Sequence, residues 1–348
     1  MTAPEPKTRD LHVKKEIFTA KFLLRWETFL FFILIGIVLV LIVAIPDLIF
    51  TQGTMQAIIR SGMDLSFMVI GMTMVLLIGE IDVSVGSIMI VSCTVMGLLC
   101  QNGAPDVITV TAGIVSGALC GLINGLLIAK CKMPSVIVTI ATSMLFRGIV
   151  KIVLNVNTLK KYPDWYAVLS WQDLGGVIPY SALLFLIAAA VFAVVLHKTG
   201  FGRRLILVGS SPVVSEYSGI RIDRIRIVVF TLMGITAAMS GILFAGRLGG
   251  ISSGMGSGYE LEVIAIAVLG GVSTKGGKGT AIGPVIATFI MAVLGKTLDL
   301  LWVHANIQKI IVGGILLIAV LLPAITARIK ARRVSVHAND RRDPQITE

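Results

Sequence analysis

The sequence predicts an all-α, polytopic membrane helix bundle of about ten transmembrane helices with both termini cytoplasmic. Three observations predict it. The 348-residue chain is 56% hydrophobic and only 14% charged, a composition that a water-soluble domain of this size does not keep in solution. Its apolar residues gather into ten runs, near 28–50, 57–78, 84–101, 107–129, 134–154, 177–197, 227–248, 259–272, 281–302 and 307–327, to be compared with the ~20 residues that a spanning helix needs. With an inside start, the segments on one side of these runs carry 22 Lys and Arg, against only Lys160 and Lys161 on the other, the asymmetry expected of cytoplasmic loops.

In chain order, residues 1–27 read as a polar cytoplasmic tail: Lys7, Arg9, Lys14, Lys15, Lys21 and Arg25 precede the first run, so no cleavable signal peptide is expected. A transmembrane domain follows over 28–327, and 328–348 forms a second cytoplasmic tail. Arg60 and Asp64 lie four residues apart in the second run, a spacing that predicts an ion pair on one helix face. The stretch Gly79-Glu80-Ile81-Asp82-Val83-Ser84-Val85-Gly86-Ser87 sets two acids and two hydroxyls between apolar runs too close for a loop. It reads as a broken helix, which a membrane tolerates only where protein or a water-filled cavity satisfies the freed backbone. Ser84 is suited to cap the helix that follows, and the break suits a permeation path and a structural hinge equally.

The fourth run carries Gly113, Gly117, Gly121 and Gly125, a stripe that lets a neighbouring helix approach closely; the seventh repeats the theme with Ala237, Gly241, Ala245 and Gly249. Arg147 and Lys151 share a face of the fifth run and need an acidic partner, lipid phosphate or water. The long loop 198–226 contains Ser211, Pro212 and Gly219, the punctuation of a helix of about two turns: a capping hydroxyl, a proline for the first position and a glycine for the left-handed stop. The eighth run is short enough for a half-helix, and opens on Glu260 and Glu262.

Several functions are excluded by what the chain lacks. The net charge of +11 resides in loops that would face an anionic inner leaflet, which makes membrane lipid a partner and removes the reason to invoke nucleic acid. Cys93, Cys100, Cys120 and Cys131 lack the paired spacing of a zinc or redox motif, and His12, His197, His304 and His337 are scattered, so no metal site is expected. The segment Gly270 to Thr280 fails as a phosphate loop, because Val272 and Gly279 stand where that pattern needs Gly and then Ser or Thr. No cofactor is therefore expected in this chain, and ATP, if consumed, is consumed elsewhere. Without a His-Glu-x-x-His, a Gly-x-Ser-x-Gly or facing catalytic acids, an intramembrane enzyme is not supported.

Four stretches taken in register resemble the sugar branch of bacterial ATP-binding-cassette importer permeases, the family of the ribose, xylose, rhamnose and autoinducer-2 permeases. They are Gly79 to Ser87; Gly121-Leu122-Ile123-Asn124-Gly125 with Pro134 to Thr139; the loop Gly202 to Ile220; and Tyr259-Glu260-Leu261-Glu262 through Gly270-Gly271 to Gly277. The resemblance implies a non-catalytic subunit of the inner membrane that pairs with a second permease copy or a paralogue. It also implies two cytoplasmic ATP-binding subunits, which use ATP and Mg, and a periplasmic solute-binding protein. Residues matching 209–220 would be the coupling helix, with Arg203, Gly209, Ser211, Pro212, Glu216 and Gly219 as the ATPase-coupling set. Asp82, Ser84, Asn124, Thr139, Glu260 and Glu262 are the candidates for the translocation path.

The chain departs from that pattern at Glu80, where the family more often has Gly, at Val214-Ser215-Glu216, which replaces a commoner Ala-Ala-basic triplet, and at Glu262, which replaces Asp. Two alternatives share the helical architecture: a branched-chain amino acid permease of the neighbouring branch, against which Ile81 to Ser87 argues, and an ion-coupled secondary transporter, against which the coupling-like loop argues. Asn124, Ser84 and Thr139 suit a hydroxyl-rich solute and fit pentose, deoxyhexose and autoinducer-2 alike.

Overall fold

A computed structural model describes residues 26–44, 52–176, 178–304 and 306–315, with 317, 318 and 321. The expected cytoplasmic tails lie outside the described residues, apart from Trp26 and Glu27. The regular structure of the described chain is helical except for a two-stranded hairpin, β1 (Asp173–Leu174) and β2 (Ile178–Pro179). In order, the helices are α1 (Trp26–Ala44), α2 (Gln52–Arg60), α3 (Met63–Leu77), α4 (Val85–Gln101), α5 (Asp106–Lys130), α6 (Ser135–Leu154), α7 (Asp164–Trp171), α8 (Tyr180–Lys198), α9 (Gly200–Ser210), α10 (Pro212–Tyr217), α11 (Ile222–Leu248), α12 (Tyr259–Leu269) and α13 (Ile282–Leu300), followed by helical residues 306–315.

Among the described residues, seven segments are long and apolar enough to cross a membrane: 26–43, 53–77, 106–130, 135–154, 180–198, 222–248 and 282–300. The expected third span is α4, a 17-residue apolar helix just under that length. The expected eighth is α12, which has 11 residues and covers only ~16 Å, so it is a half-helix. The expected tenth, 307–327, is described only in part.

Proline fixes where four helices begin. Pro105, Pro134, Pro163 and Pro179 stand immediately before α5, α6, α7 and α8, each in extended conformation. A proline bars the residue before it from helical geometry, so these helices cannot grow backward.

All 15 residues of α3 are buried, which makes it the axis of the bundle. Around it, α11 runs between α3, α4 and α5. Met68 N on α3 donates to Ser240 Oγ on α11 at 3.1 Å, and Cys93 Sγ on α4 donates to Gly241 O at 3.3 Å. The glycine stripe of α5 meets α11 as expected. A methyl group on Gly121 would collide with Phe230 O, one on Gly117 with Gly234 O and one on Gly125 with the backbone of Ile227, while Gly113 meets Met96 of α4. The reciprocal glycine on α11 is Gly234, not one of the small residues read from the sequence. Of those, Ala237 and Ala245 are fully buried, Gly241 abuts Cys93, and Gly249 ends the helix in left-handed conformation, φ 64°.

At one end of the bundle, residues 155–171 fold over α4 and α11. Leu159 and Ile251 exchange backbone hydrogen bonds of 2.9 and 2.8 Å, Tyr162 donates to Cys93 O at 3.1 Å, and Ser170 donates to Leu243 O at 3.0 Å. Burial pushes the Tyr162 and Tyr166 phenols above their ordinary range, so both remain neutral donors at any physiological pH. The opposite end carries the 130–134 turn, α9, α10 and the 270–281 loop, and is rich in Lys and Arg.

The α5–α11 contact yields a direct test. Gly121→Ala forces a Cβ against a backbone carbonyl, with an expected cost of ~1–3 kcal/mol from overpacking, whereas Gly148→Ala, on a helix face with nothing within 4 Å, leaves stability unchanged or slightly raised. Thermal unfolding in detergent should rank Gly121→Ala well below wild type and Gly148→Ala beside it.

Candidate functional site

The chain leaves α3 through a left-handed Gly79, φ 79°, with Gly79 N and Glu80 N still held by Leu76 O and Val75 O at 2.9 and 3.1 Å. Beyond that point the backbone has no helical partners until α4, and side chains take over. Ile81 N donates to Ser135 Oγ at 3.3 Å, Val83 N to Thr139 Oγ1 at 3.1 Å, and Ser84 N to Asp82 Oδ1 at 2.7 Å. This is the broken helix expected from the sequence, its freed amides satisfied by protein.

The polar network continues inward. Ser84 Oγ donates to Asp82 Oδ1 at 2.6 Å and accepts from Asn124 Nδ2 at 2.8 Å. Ser84 therefore does not cap α4 through its side chain, as its sequence position led us to expect: no such bond forms, because Asp82 competes for the hydroxyl. Asp82, Ser84, Asn124 and Thr139 are each 0% exposed, so the structure unites four of the six candidate path residues in one buried cluster. Asp82 Oδ2 and Asn124 Oδ1 have no hydrogen-bond partner among the described residues.

The other two candidates lie in adjoining sites. Glu260 opens α12, where its Oε1 accepts from Gly258 N at 3.2 Å and its Oε2 faces Arg147 Nη2 at 3.4 Å. Arg147 also donates to Gly256 O at 2.9 Å and Met255 O at 3.3 Å, so the expected acidic partner of this deep cation is Glu260, helped by two carbonyls. Gly86, in the first turn of α4, leaves room for this assembly: a Cβ there would lie 2.6 Å from Gly256 O and 2.8 Å from Glu260 Oε2. Lys151 is exposed. Glu262 lines a separate cavity of about 160 Å³ with Arg247, Thr288, Asp299 and Gln308.

The expected Arg60–Asp64 pair is not formed. A turn at Ser61 and Gly62 separates α2 from α3, so the four-residue spacing no longer places both side chains on one helix. Arg60 pairs with Asp173 of the hairpin and lies over the Trp171 ring at 5.9 Å. Buried Asp64 instead takes Arg247 of α11 at 2.6 Å.

At the basic end, Ser211, Pro212 and Gly219 act as the sequence predicts. Ser211 Oγ accepts from Val214 N at 3.3 Å, Pro212 is the first residue of α10, and Gly219 has φ 78°. Arg203 is exposed on α9, and Glu216 is exposed on α10. Gly209 has no room for a side chain, because Leu77 O and Gly277 N stand against it. Gly277 N donates to Leu77 O at 2.9 Å, and Ser210 Oγ donates to Gly277 O at 3.4 Å. The last carbonyl of α3, the end of α9 and the glycine-rich loop thus interlock. Glu80 faces Arg226 at 2.8 Å, which ties the break to the first turn of α11. Neither this pair nor the role of Ser135 was visible in the sequence; Glu80 stood out only as an unexpected acid.

Residues 54–320 match the family described as the branched-chain amino acid transport system permease component. The chain belongs to this family. Among the relatives of this permease, the ribose import permease protein of Bacillus subtilis is 35% identical over 255 residues, 72% of this chain and 79% of its own length. The autoinducer 2 import system permease protein of Photorhabdus luminescens is 33% identical over 290 residues, 83% and 87% of the two chains. The ribose import permease protein of Escherichia coli K12 is 31% identical over 278 residues, 78% and 86%. No solved structure matches the permease.

Two predictions follow from the site. Asp82→Ala removes the acceptor of two buried hydrogen bonds and is expected to cost ~2–3 kcal/mol, while Asp82→Asn keeps an acceptor oxygen and stays within ~1 kcal/mol; detergent unfolding midpoints should separate the two. Glu80→Arg and Arg226→Glu each place like charges together and should lower the midpoint, and the double exchange should recover most of the loss, a coupling read as a double-mutant cycle.

Proposed function

We propose that this permease is the membrane subunit of an ATP-driven importer for a small sugar-like solute. On this reading residues 28–327 form one transmembrane domain in the bacterial inner membrane, with about ten spans and both termini cytoplasmic. The seven long helices are joined by α4, by the half-helix α12 and by the run 307–327. The 22 to 2 division of basic residues supports the placement of α9, α10 and the 270–281 loop on the cytoplasmic side.

The observation that carries the proposal is the presentation of α10. Val213, Val214 and Tyr217 are 63, 61 and 90% exposed, an apolar face on a short helix outside the bundle, joined through Ser211 to α9, whose end is seated on the glycine-rich loop. Such a face suits a groove on a cytoplasmic ATP-binding subunit. ATP and Mg would be used there, and the permease would carry no cofactor of its own. The relatives, ribose and autoinducer 2 import permeases, support a sugar-type cargo, which a periplasmic binding protein would deliver to a pair of permease subunits.

Transport would proceed by alternating access. On this reading the path would run past the buried Asp82, Ser84, Asn124 and Thr139 cluster. The unpartnered acceptors Asp82 Oδ2 and Asn124 Oδ1 would accept hydrogen bonds from the hydroxyls of a polyol once the bundle opens, with Arg147 and Glu260 alongside. These residues bind and guide solute; none is asked to do chemistry.

Co-purification with the neighbouring ATP-binding subunit in mild detergent tests the reading. Tyr217→Asp places a charge in the docking face, and Gly219→Pro demands a φ near −65° where the chain has 78°. Both should lose the ATPase and ATP-driven uptake in proteoliposomes while remaining folded. If wild type captures no ATPase and uptake follows an ion gradient instead, the chain is a secondary transporter and the proposal falls.

A further inference from the structure

The face of α10 opposite Val213, Val214 and Tyr217 is also shaped. Pro212, Glu216 and Gly219 wall one side of a cavity of about 610 Å³ whose other walls are Lys130, Lys132, Ile220, Arg221, Ile222, Asp223, Arg224 and Arg226. Five cations thus surround one space with two acids. Asp223 is already engaged by Lys132 at 2.6 Å, and Arg226 is engaged by Glu80. Among the described residues no carboxylate lies within ion-pair distance of Lys130, Arg221 or Arg224, which leaves three uncompensated cations facing Glu216 alone.

The position of these cations decides the kind of ligand. Lys130 is the last residue of the spanning helix α5, and Arg221 and Arg224 flank the first turn of the spanning helix α11. They therefore sit where the hydrocarbon stops and the headgroups begin. Ile220 and Ile222 supply an apolar wall on the same cavity, and the amide groups at the start of α11 add partial positive charge. A phosphate on a glycerol backbone meets this set of groups; a protein segment meets the other face of α10, which is the apolar one.

We propose that the cavity behind α10 binds the headgroup of an anionic phospholipid of the cytoplasmic leaflet, so that the coupling helix has protein on one face and lipid phosphate on the other. The inference rests on the inward orientation of this end, as in the function proposed above. A basic pocket between helix ends at the leaflet surface gains on the order of fivefold in affinity per cation. Retention of anionic lipid should therefore fall by roughly tenfold or more when three cations are removed.

The test uses the full-length permease alone, in mild detergent with an equimolar mixture of phosphatidylglycerol and phosphatidylcholine, and counts retained lipid by native mass spectrometry. Three proteins are compared: wild type, Lys130→Ala/Arg221→Ala/Arg224→Ala, and the charge-keeping Lys130→Arg/Arg221→Lys/Arg224→Lys. Expected is selective retention of phosphatidylglycerol by wild type and the charge-keeping variant, with loss in the alanine variant at an unchanged unfolding midpoint. Equal retention of the two lipids by wild type, or undiminished selectivity in the alanine variant, overturns the proposal. Displacement of phosphatidylglycerol by equimolar inorganic phosphate also overturns it and makes the cavity a site for free phosphate. Capture of the ATPase by wild type is scored separately, so failure of the importer reading is distinguishable from failure of the lipid site.

Discussion

Where α3 stops, its backbone amides lose their helical partners, and the need to satisfy those half-buried amides organises what surrounds them. Ser135 and Thr139 bind Ile81 N and Val83 N, which fixes the first turn of α6 against the break. Asp82 turns back on Ser84 N and Oγ, and Asn124 reaches in from α5 to the same hydroxyl. For Asn124 to do so, α5 has to lie close to the start of α4, and the Gly117, Gly121 and Gly125 face that seats α5 on α11 permits that approach. Packing and polar satisfaction are therefore one arrangement: a bulkier α5 would withdraw Asn124 Nδ2 from the Ser84 hydroxyl and leave a buried amide short of its acceptor, at a cost of ~1–3 kcal/mol.

The two ends of the bundle are held differently. At one, aromatic and hydroxyl donors of residues 159–170 reach carbonyls of α4 and α11, a lid of neutral hydrogen bonds. At the other, backbone groups of three segments touch directly, with ion pairs around them. The first kind of contact can be exchanged for water or for another polar surface at little net cost, whereas the second depends on shape.

What could be read from the sequence was what depends on nearest neighbours along the chain. The break at Gly79 to Ser87 was legible because acids and hydroxyls interrupt apolar runs, α10 because Ser211, Pro212 and Gly219 punctuate two turns, the α5 stripe because its period is four, and the half-helix because its run is short. What escaped was what depends on partners far away in sequence. Arg147 meets Glu260, 113 residues later; Asp64 meets Arg247, 183 later. The Arg60–Asp64 expectation failed for a local reason: two residues of turn, Ser61 and Gly62, were enough to rotate one side chain away from the other. Ser84 was assigned to the helix end when a carboxylate two residues away held it more firmly.

The interlock of Gly209, Gly277 and Leu77 has a mechanical meaning. A joint with side chains between its parts has slack, since rotamers can change before backbones move; here carbonyl and amide meet with no side chain interposed. A displacement of the end of α9 would therefore reach the foot of the central helix and the 270–281 loop through backbone contacts. Stiffness of that kind comes from glycine, the residue usually associated with flexibility, because the absence of a side chain lets backbone bear on backbone.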